Sequence, residues 1–129
     1  MGIDAGTAEA LDREAYISLA TFRRSGKAVE TPVWFAGRDG KFYVFTEAKS
    51  GKVKRLRNDN RIRVAPCSVR GRIRGDWTEG HCRRIEDAGI ESAAYDALRA
   101  KYGWQMRLLD FFSRRAGRIE GRAILELQL

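Results

Sequence analysis

Asp39-Gly40, followed at once by Lys41-Phe42-Tyr43-Val44-Phe45-Thr46, constrains this chain more than any other stretch. Asp-Gly before a β-branched and aromatic run is a strong hairpin signal. Phe42 and Val44 alternate with Tyr43 and Phe45, so the run Lys41–Thr46 is a strand that is apolar on both faces. Such a strand is central and has to be covered on both sides, which demands a sheet with a second layer. Upstream, Val29–Ala36 (VETPVWFA) reads as another strand, with Pro32 marking an edge, a bulge or an early break.

The rest of the chain supplies that second layer. Tyr16–Arg23 is strand-like and closes on a Ser25-Gly26 turn; Arg61–Pro66 is a strand with Ile62 and Val64 inward. A fifth strand runs from about Ile73 to Glu86 and carries Trp77, Cys82 and Ile85. At the end, Ile119, Ala123, Leu125, Leu127 and Leu129 alternate with Glu120, Arg122, Glu126 and Gln128, a C-terminal strand. Helices are expected over Thr7–Glu14 with Thr7 as cap, and over Ser50–Asn58 with Ser50 as N-cap and Val53 and Leu56 inward. A further helix spans Ile90–Lys101 through Ala94, Ala97 and Leu98 to Tyr102. After a break at Gly103, Trp104–Arg115 continues as a helix with Leu108, Phe111 and Phe112. Six strands in hairpin-rich order with short flanking helices make an α+β fold with an antiparallel sheet. Closure into a small barrel removes its exposed edges. At 129 residues, one domain over 1–129 is expected.

Several function classes drop out. No apolar run approaches the roughly 20 residues of a membrane helix. Met1–Ala10 has no apolar core flanked by early basic residues, so a cytoplasmic protein is expected. Cys67 and Cys82 lack a CxxC spacing, and His81 is the only histidine, so no metal site is expected. His81 and Cys82 adjoin in a strand and point to opposite faces, so they cannot share a ligand. The formal charge of +8 calls for an anionic partner. Its arginines are spread along the chain, mostly with acids nearby, which favours a solvated surface over a nucleic-acid surface. The densest cluster is Lys49, Lys52, Lys54, Arg55 and Arg57, followed by Arg61 and Arg63.

Within that cluster lies the pattern that carries chemistry. A strand ends at Thr46, and Ser50-Gly51-Lys52 opens a helix. A helix start offers unpaired N–H groups and partial positive charge. Gly51 permits close approach, Ser50 adds a hydroxyl and Lys52 a full charge, which together suit a phosphate. A Walker loop is excluded, because its spaced glycines and GK[ST] ending are missing. An ordinary capped helix with surface lysines would show the same residues. Thr31-Pro32-Val33-Trp34-Phe35, one hairpin away from the central strand, adds a flat apolar wall. Charge at one end and a flat wall at the other suit a flavin or other phosphorylated heterocycle.

These residues resemble the flavin- and deazaflavin-dependent oxidoreductases of the pyridoxamine 5′-phosphate oxidase-like superfamily. The resemblance is carried in order by Thr21-Phe22-Arg23-Arg24, Thr31–Phe35, Thr46 with Ser50-Gly51-Lys52 and Arg55-Leu56, and Ala65-Pro66-Cys67 with Gly71. It implies a split β-barrel and a homodimer whose subunits both contribute to each site. It further implies a cofactor phosphate held by Lys52, Ser50 and Thr46, with Pro32, Val33 and Trp34 along the ring. Gly51 and Arg55 complete the expected cofactor set. FMN-binding members place an Arg-Lys pair where this chain has Gly51-Lys52. That departure puts 8-hydroxy-5-deazaflavin (coenzyme F-420) first and FMN second.

The implied activity is hydride transfer from the reduced deazaflavin to a small unsaturated or conjugated acceptor. The cofactor carries the reactivity, so no catalytic side chain is assigned. Arg55, Arg57, Arg61 and Arg63 would suit an acidic cofactor tail, RNA, or simply solvent. Haem-degrading relatives raise His81 as an axial ligand, but a surface or structural histidine is the preferred reading. Trp77 and Trp104 fit a core or a subunit interface better than a substrate stack. A non-catalytic cofactor-binding protein, or a basic nucleic-acid binder, is the competing class.

Overall fold

The computed structural model describes residues 2–117 and 121–129. Ile119 and Glu120, assigned above to the last strand, lie outside the described residues. The elements are α1 (Ala5–Asp12), β1 (Ile17–Phe22), β2 (Ala28–Val33), β3 (Ala36–Arg38), β4 (Lys41–Glu47), α2 (Gly51–Asn58), β5 (Arg61–Pro66), β6 (Thr78–Ile85), α3 (Ala88–Tyr102), α4 (Trp104–Arg115) and β7 (Arg122–Gln128). The fold is α+β, with seven strands in one antiparallel sheet ordered β2-β1-β5-β6-β7-β4-β3.

The expected six strands become seven because Val29–Ala36 is not one strand. It divides into β2, paired with β1, and β3, paired with β4 at the opposite edge of the sheet. Only Trp34 and Phe35 join these two edges. Laid flat, seven strands would separate their outer members by about 29 Å. Three trans peptide steps from Val33 to Ala36 reach at most about 11 Å. The sheet therefore curls into a half-barrel until its edges approach at this crossover. Pro32, the residue that signalled an early break, stands two positions before it.

Three side chains brace the crossover. The Phe35 N–H donates to the Tyr102 hydroxyl at 2.9 Å, and that oxygen lies 3.0 Å from the Phe35 carbonyl and 2.8 Å from the Ala15 carbonyl. Asp12 accepts from the Gly37 N–H at 2.9 Å and from Lys101 at 3.3 Å, while the Lys101 ammonium sits 3.5 Å from the Phe35 ring centre. Phe35 itself is fully buried beside Phe42.

Alternation sorts the sheet's two faces. Ile17, Leu19, Phe42, Val44, Leu125 and Leu127 fill the barrel interior, and Val53 of α2 plugs into it. Tyr43, Ile85 and Ile124 face outward and are covered by Ala94, Leu98 and Tyr102 of α3. The strand after Asp39-Gly40 is thus covered on both sides, although it stands one place from the edge rather than at the centre.

Other boundaries shift for local reasons. The first helix starts at Ala5 rather than Thr7, because the Asp4 carboxylate caps it by accepting from the Thr7 N–H at 2.7 Å. The strand expected from Ile73 begins at Thr78; Ile73 only forms an isolated bridge to Cys67. The alternating C-terminal strand does not expose its polar face. Glu126 is 3% exposed, accepting from the Tyr43 hydroxyl at 3.0 Å and from Arg83 at 2.9 Å, with Lys41 at 3.5 Å. Burial pushes its carboxyl up, but the Arg83 and Tyr43 hydrogen bonds and the Arg83 and Lys41 charges outweigh that and hold it below the ordinary 4.5. A carboxyl depressed in the folded state stabilises it above the unfolded value and loses that contribution as pH falls through the folded value. Thermal melts of wild type and Glu126→Gln should therefore converge as pH falls below about 4.5.

Helix α4 is turned the unusual way. Met106, Asp110 and Ser113 face the body, whereas Trp104 (71% exposed), Leu108 (47%), Phe111 (54%) and Phe112 (55%) face out. The inner polar face is satisfied: Arg122 donates to Asp110 at 2.7 Å and to Ser113 at 2.9 Å, and Arg99 reaches Asp110 at 3.2 Å. The sequence pattern had placed Leu108, Phe111 and Phe112 together but could not say which way they pointed.

Candidate functional site

The Ser50 cap and the helix it starts form where the sequence implies. β4 ends at Glu47, whose carbonyl accepts from the Ser50 N–H at 3.0 Å. Ser50 is extended (φ −67°, ψ 159°) and caps α2, its hydroxyl accepting from the Val53 N–H at 3.5 Å. The Thr46 hydroxyl stands 3.4 Å from that same oxygen. Gly51 and Lys52 thus begin the first turn of α2, where N–H groups lack helical partners and the helix end is positive.

Gly51 does more than permit close approach. A Cβ built there would lie 2.7 Å from Nη1 of Arg55, one turn further on. The Arg55 guanidinium therefore lies folded back over the start of its own helix, anchored by an Nε–H bond of 2.7 Å to the buried Thr21 hydroxyl. The turn carries two cations, Lys52 and Arg55, and no acid stands in its first turn. Burial, and then the Arg55 charge, push the half-buried Lys52 ammonium below its ordinary value, while Glu47 pulls the other way. Burial and the nearby Arg23 likewise lower Arg55, which stays charged all the same. Two crowded, partly desolvated cations are relieved by an anion placed between them.

Thr46, Ser50, Gly51, Lys52 and Arg55 are thus brought together in a cationic cradle at the start of α2. Pro32, Val33 and Trp34 have other neighbours. Val33 is in the barrel interior, Pro32 pairs with Ser18 and lies against the Gly71 turn, and Trp34 stacks on Tyr102 with ring centres 4.4 Å apart. Val33 is buried, whereas Pro32 and Trp34 keep part of their surface exposed at this strand end. Thr21 and Arg23 are further members of the cradle's surroundings. Thr21-Phe22-Arg23-Arg24 stood out in the sequence, but only the long-range Arg55 bond shows why.

Other candidates resolve simply. Cys82 is buried, and burial pushes its thiol up to about 12, so it is inert. Cys67 is also buried, and its thiol is raised. His81 is exposed on β6, facing the side opposite Cys82. Among the described residues no cluster of His, Cys, Asp or Glu could hold a metal, and no helix is long and apolar enough to cross a membrane.

Among the described residues, two clefts stand out on the surface. A small one of about 250 Å³ lies between β4 and α4, lined by Phe45, Thr46, Leu109, Ser113 and Arg122. It touches the cradle through Thr46. A larger groove of about 560 Å³ lies on the outer face of β5 and β6 and includes Phe22, Arg61, Arg63 and His81. It shares no lining residue with the cradle.

Comparison with known proteins agrees with this architecture. The pyridoxamine 5′-phosphate oxidase family description matches residues 3–129. No curated protein matches the sequence. Among solved structures, a conserved hypothetical protein from Mycobacterium tuberculosis superposes with a TM-score of 0.72 at 21% identity, over 98% of this chain and 79% of that one. The haem storage protein HutZ from Vibrio cholerae superposes at 0.70 with 11% identity, over 99% and 90% of the two chains. A FAD-binding protein from Mesorhizobium loti gives 0.64 at 13% identity, over 100% and 90%. At these identities the likeness is one of fold.

Proposed function

The chain belongs to the pyridoxamine 5′-phosphate oxidase family, and from that premise we propose that it is an oxidoreductase using a phosphorylated deazaflavin. The observation that carries this reading is the Ser50-Gly51-Lys52 turn with Arg55 folded over Gly51. Its residues fit a phosphate: N–H groups, a hydroxyl pair and two cations without an acid in the first turn. Lys52 and Arg55 would bind the phosphate, Thr46 and Ser50 would orient it, and Pro32, Val33 and Trp34 would border the ring. When bound there, a reduced deazaflavin would supply the hydride for reduction of a small conjugated acceptor, with the accompanying proton drawn from solvent. The protein's part is to bind, align and exclude water.

FMN is the second choice, and one observation favours it. The guanidinium that FMN-binding relatives supply from the position of Gly51 is present here from Arg55. Absorbance titrations with reduced deazaflavin, FMN and haem rank the three directly. Saturable deazaflavin binding, followed by its oxidation when a conjugated acceptor is added, is the expected result. Tight FMN binding without deazaflavin affinity reverses the order. Binding without turnover against any acceptor leaves a cofactor store.

The working unit we infer is a homodimer. Trp104, Leu108, Phe111 and Phe112 form an apolar face that the isolated chain leaves in water, which is what a subunit interface covers. Sedimentation at micromolar concentration should show a dimer, and Phe111→Glu should shift it to monomer. A wild-type monomer that still binds cofactor would defeat the inference.

A further inference from the structure

The larger groove shares no lining residue with the cradle. We propose that it is a second binding site, for a phosphate-bearing planar ligand of mononucleotide size, with Arg63 as its anion anchor.

The construction of the groove follows from strand alternation. Ile62 and Val64 point into the barrel, so Arg61 and Arg63 stand on the outer face of β5. Across the pairing with β6, Arg61 lies opposite His81 and Arg63 opposite Glu79. Phe22, at the end of β1, lies under both arginines: its ring centre is 5.3 Å from the Arg61 guanidinium and 5.7 Å from that of Arg63. Arg63 also lies 5.1 Å from the Trp77 ring centre. Two aromatic rings thus stand within cation–π distance of the Arg63 guanidinium.

Arg63 differs from its neighbours in being uncommitted. Arg61 is tied to Asp59 at 2.8 Å, and Arg83 to Glu126 at 2.9 Å. Among the described residues Arg63 makes no side-chain hydrogen bond or salt bridge, and its Nε is buried without any partner. A guanidinium fork beside aromatic rings and lacking a protein acceptor is suited to a phosphate, which it can bind through two parallel N–H bonds. The Phe22 ring, which lines the groove, offers stacking to a ring attached to that phosphate, while Trp77 supports the guanidinium from outside the lining. A volume of about 560 Å³ is in the range of small-molecule sites and accommodates a mononucleotide. Glu79, which also lines the groove, disfavours an extended run of phosphates and so argues for a single anionic group.

Equilibrium dialysis with adenosine 5′-monophosphate tests this, with adenosine and inorganic phosphate as partial ligands. One saturable site per chain is expected, with either fragment binding at least about tenfold more weakly. Arg63→Gln should weaken the nucleotide by about tenfold or more, and Arg63→Lys, which keeps charge but loses the fork, by a smaller factor. Lys52→Ala should leave this binding unchanged while impairing cofactor binding, which separates the groove from the cradle. Unaltered binding by folded Arg63→Gln and Arg63→Lys overturns the proposal, as does loss in Lys52→Ala or the absence of saturable binding. A ten-nucleotide oligoadenylate that binds orders of magnitude more tightly than the mononucleotide, with steep salt dependence, overturns it in favour of a nucleic-acid surface.

Discussion

Lys52→Ala should lower cofactor affinity by roughly 10- to 150-fold, the equivalent of about 1.5–3 kcal/mol for a charge-assisted contact. The ammonium is half-buried, so the contact is less screened than a surface ion pair would be. It is also disfavoured in the free protein by burial and by Arg55. A phosphate offsets both by favouring the charged ammonium. The apo protein's melting temperature should hardly change, because α2 is fastened by Val53 and by its Ser50 cap rather than by Lys52. Lys54→Ala, on an exposed position two residues on, should lose little affinity. Gly51→Ala gives a third arm: its Cβ displaces the Arg55 guanidinium without removing any charge. Calorimetric titration should rank the losses as Lys52→Ala, then Gly51→Ala, then Lys54→Ala. Equal and small losses across the three would move the phosphate site elsewhere.

How much of this was legible in the sequence differs by element. The cradle was legible because capping is local: Ser50 three residues before Val53 determines the helix start whatever surrounds it. The role of Arg55 was not, because its anchor, Thr21, is 34 residues away and becomes a neighbour only when β1 passes α2. The face-both-ways character of β4 was readable from Phe42 to Phe45, since alternation has a period of two in any sheet. Its place in the strand order was not, because pairing partners are set by closure of the whole sheet. The inversion of α4 escaped for a related reason. Periodicity groups Leu108, Phe111 and Phe112 on one face, but Asp110 turns inward only because Arg122 and Arg99 are there to meet it. Glu126 is buried for the same kind of reason, Tyr43 and Arg83 being supplied by neighbouring strands.

The crossover at Trp34-Phe35 yields the largest stability effect expected from removing a single hydroxyl. Tyr102→Phe keeps the ring that stacks on Trp34 and deletes only the oxygen that accepts from the Phe35 N–H. Phe35 is fully buried and belongs to neither β2 nor β3, so no ladder partner replaces the lost acceptor. An orphaned buried donor costs about 1–3 kcal/mol. For a chain of this size that corresponds to a fall of about 5–10 °C in melting temperature. Tyr43→Phe is the matched control. Its hydroxyl also meets a buried group, Glu126, but that carboxylate keeps Arg83 and Lys41, so a loss of about 0.5–1 kcal/mol is expected. Chemical denaturation of both variants measures the difference. A Tyr102→Phe loss no greater than that of Tyr43→Phe would mean that the edge-to-edge link is held by Asp12 and Lys101 instead. A larger loss locates the closure of the half-barrel in the α3 hydroxyl. Because the braced residues adjoin Pro32–Trp34, the same variant should also weaken cofactor binding, while Tyr43→Phe leaves it intact.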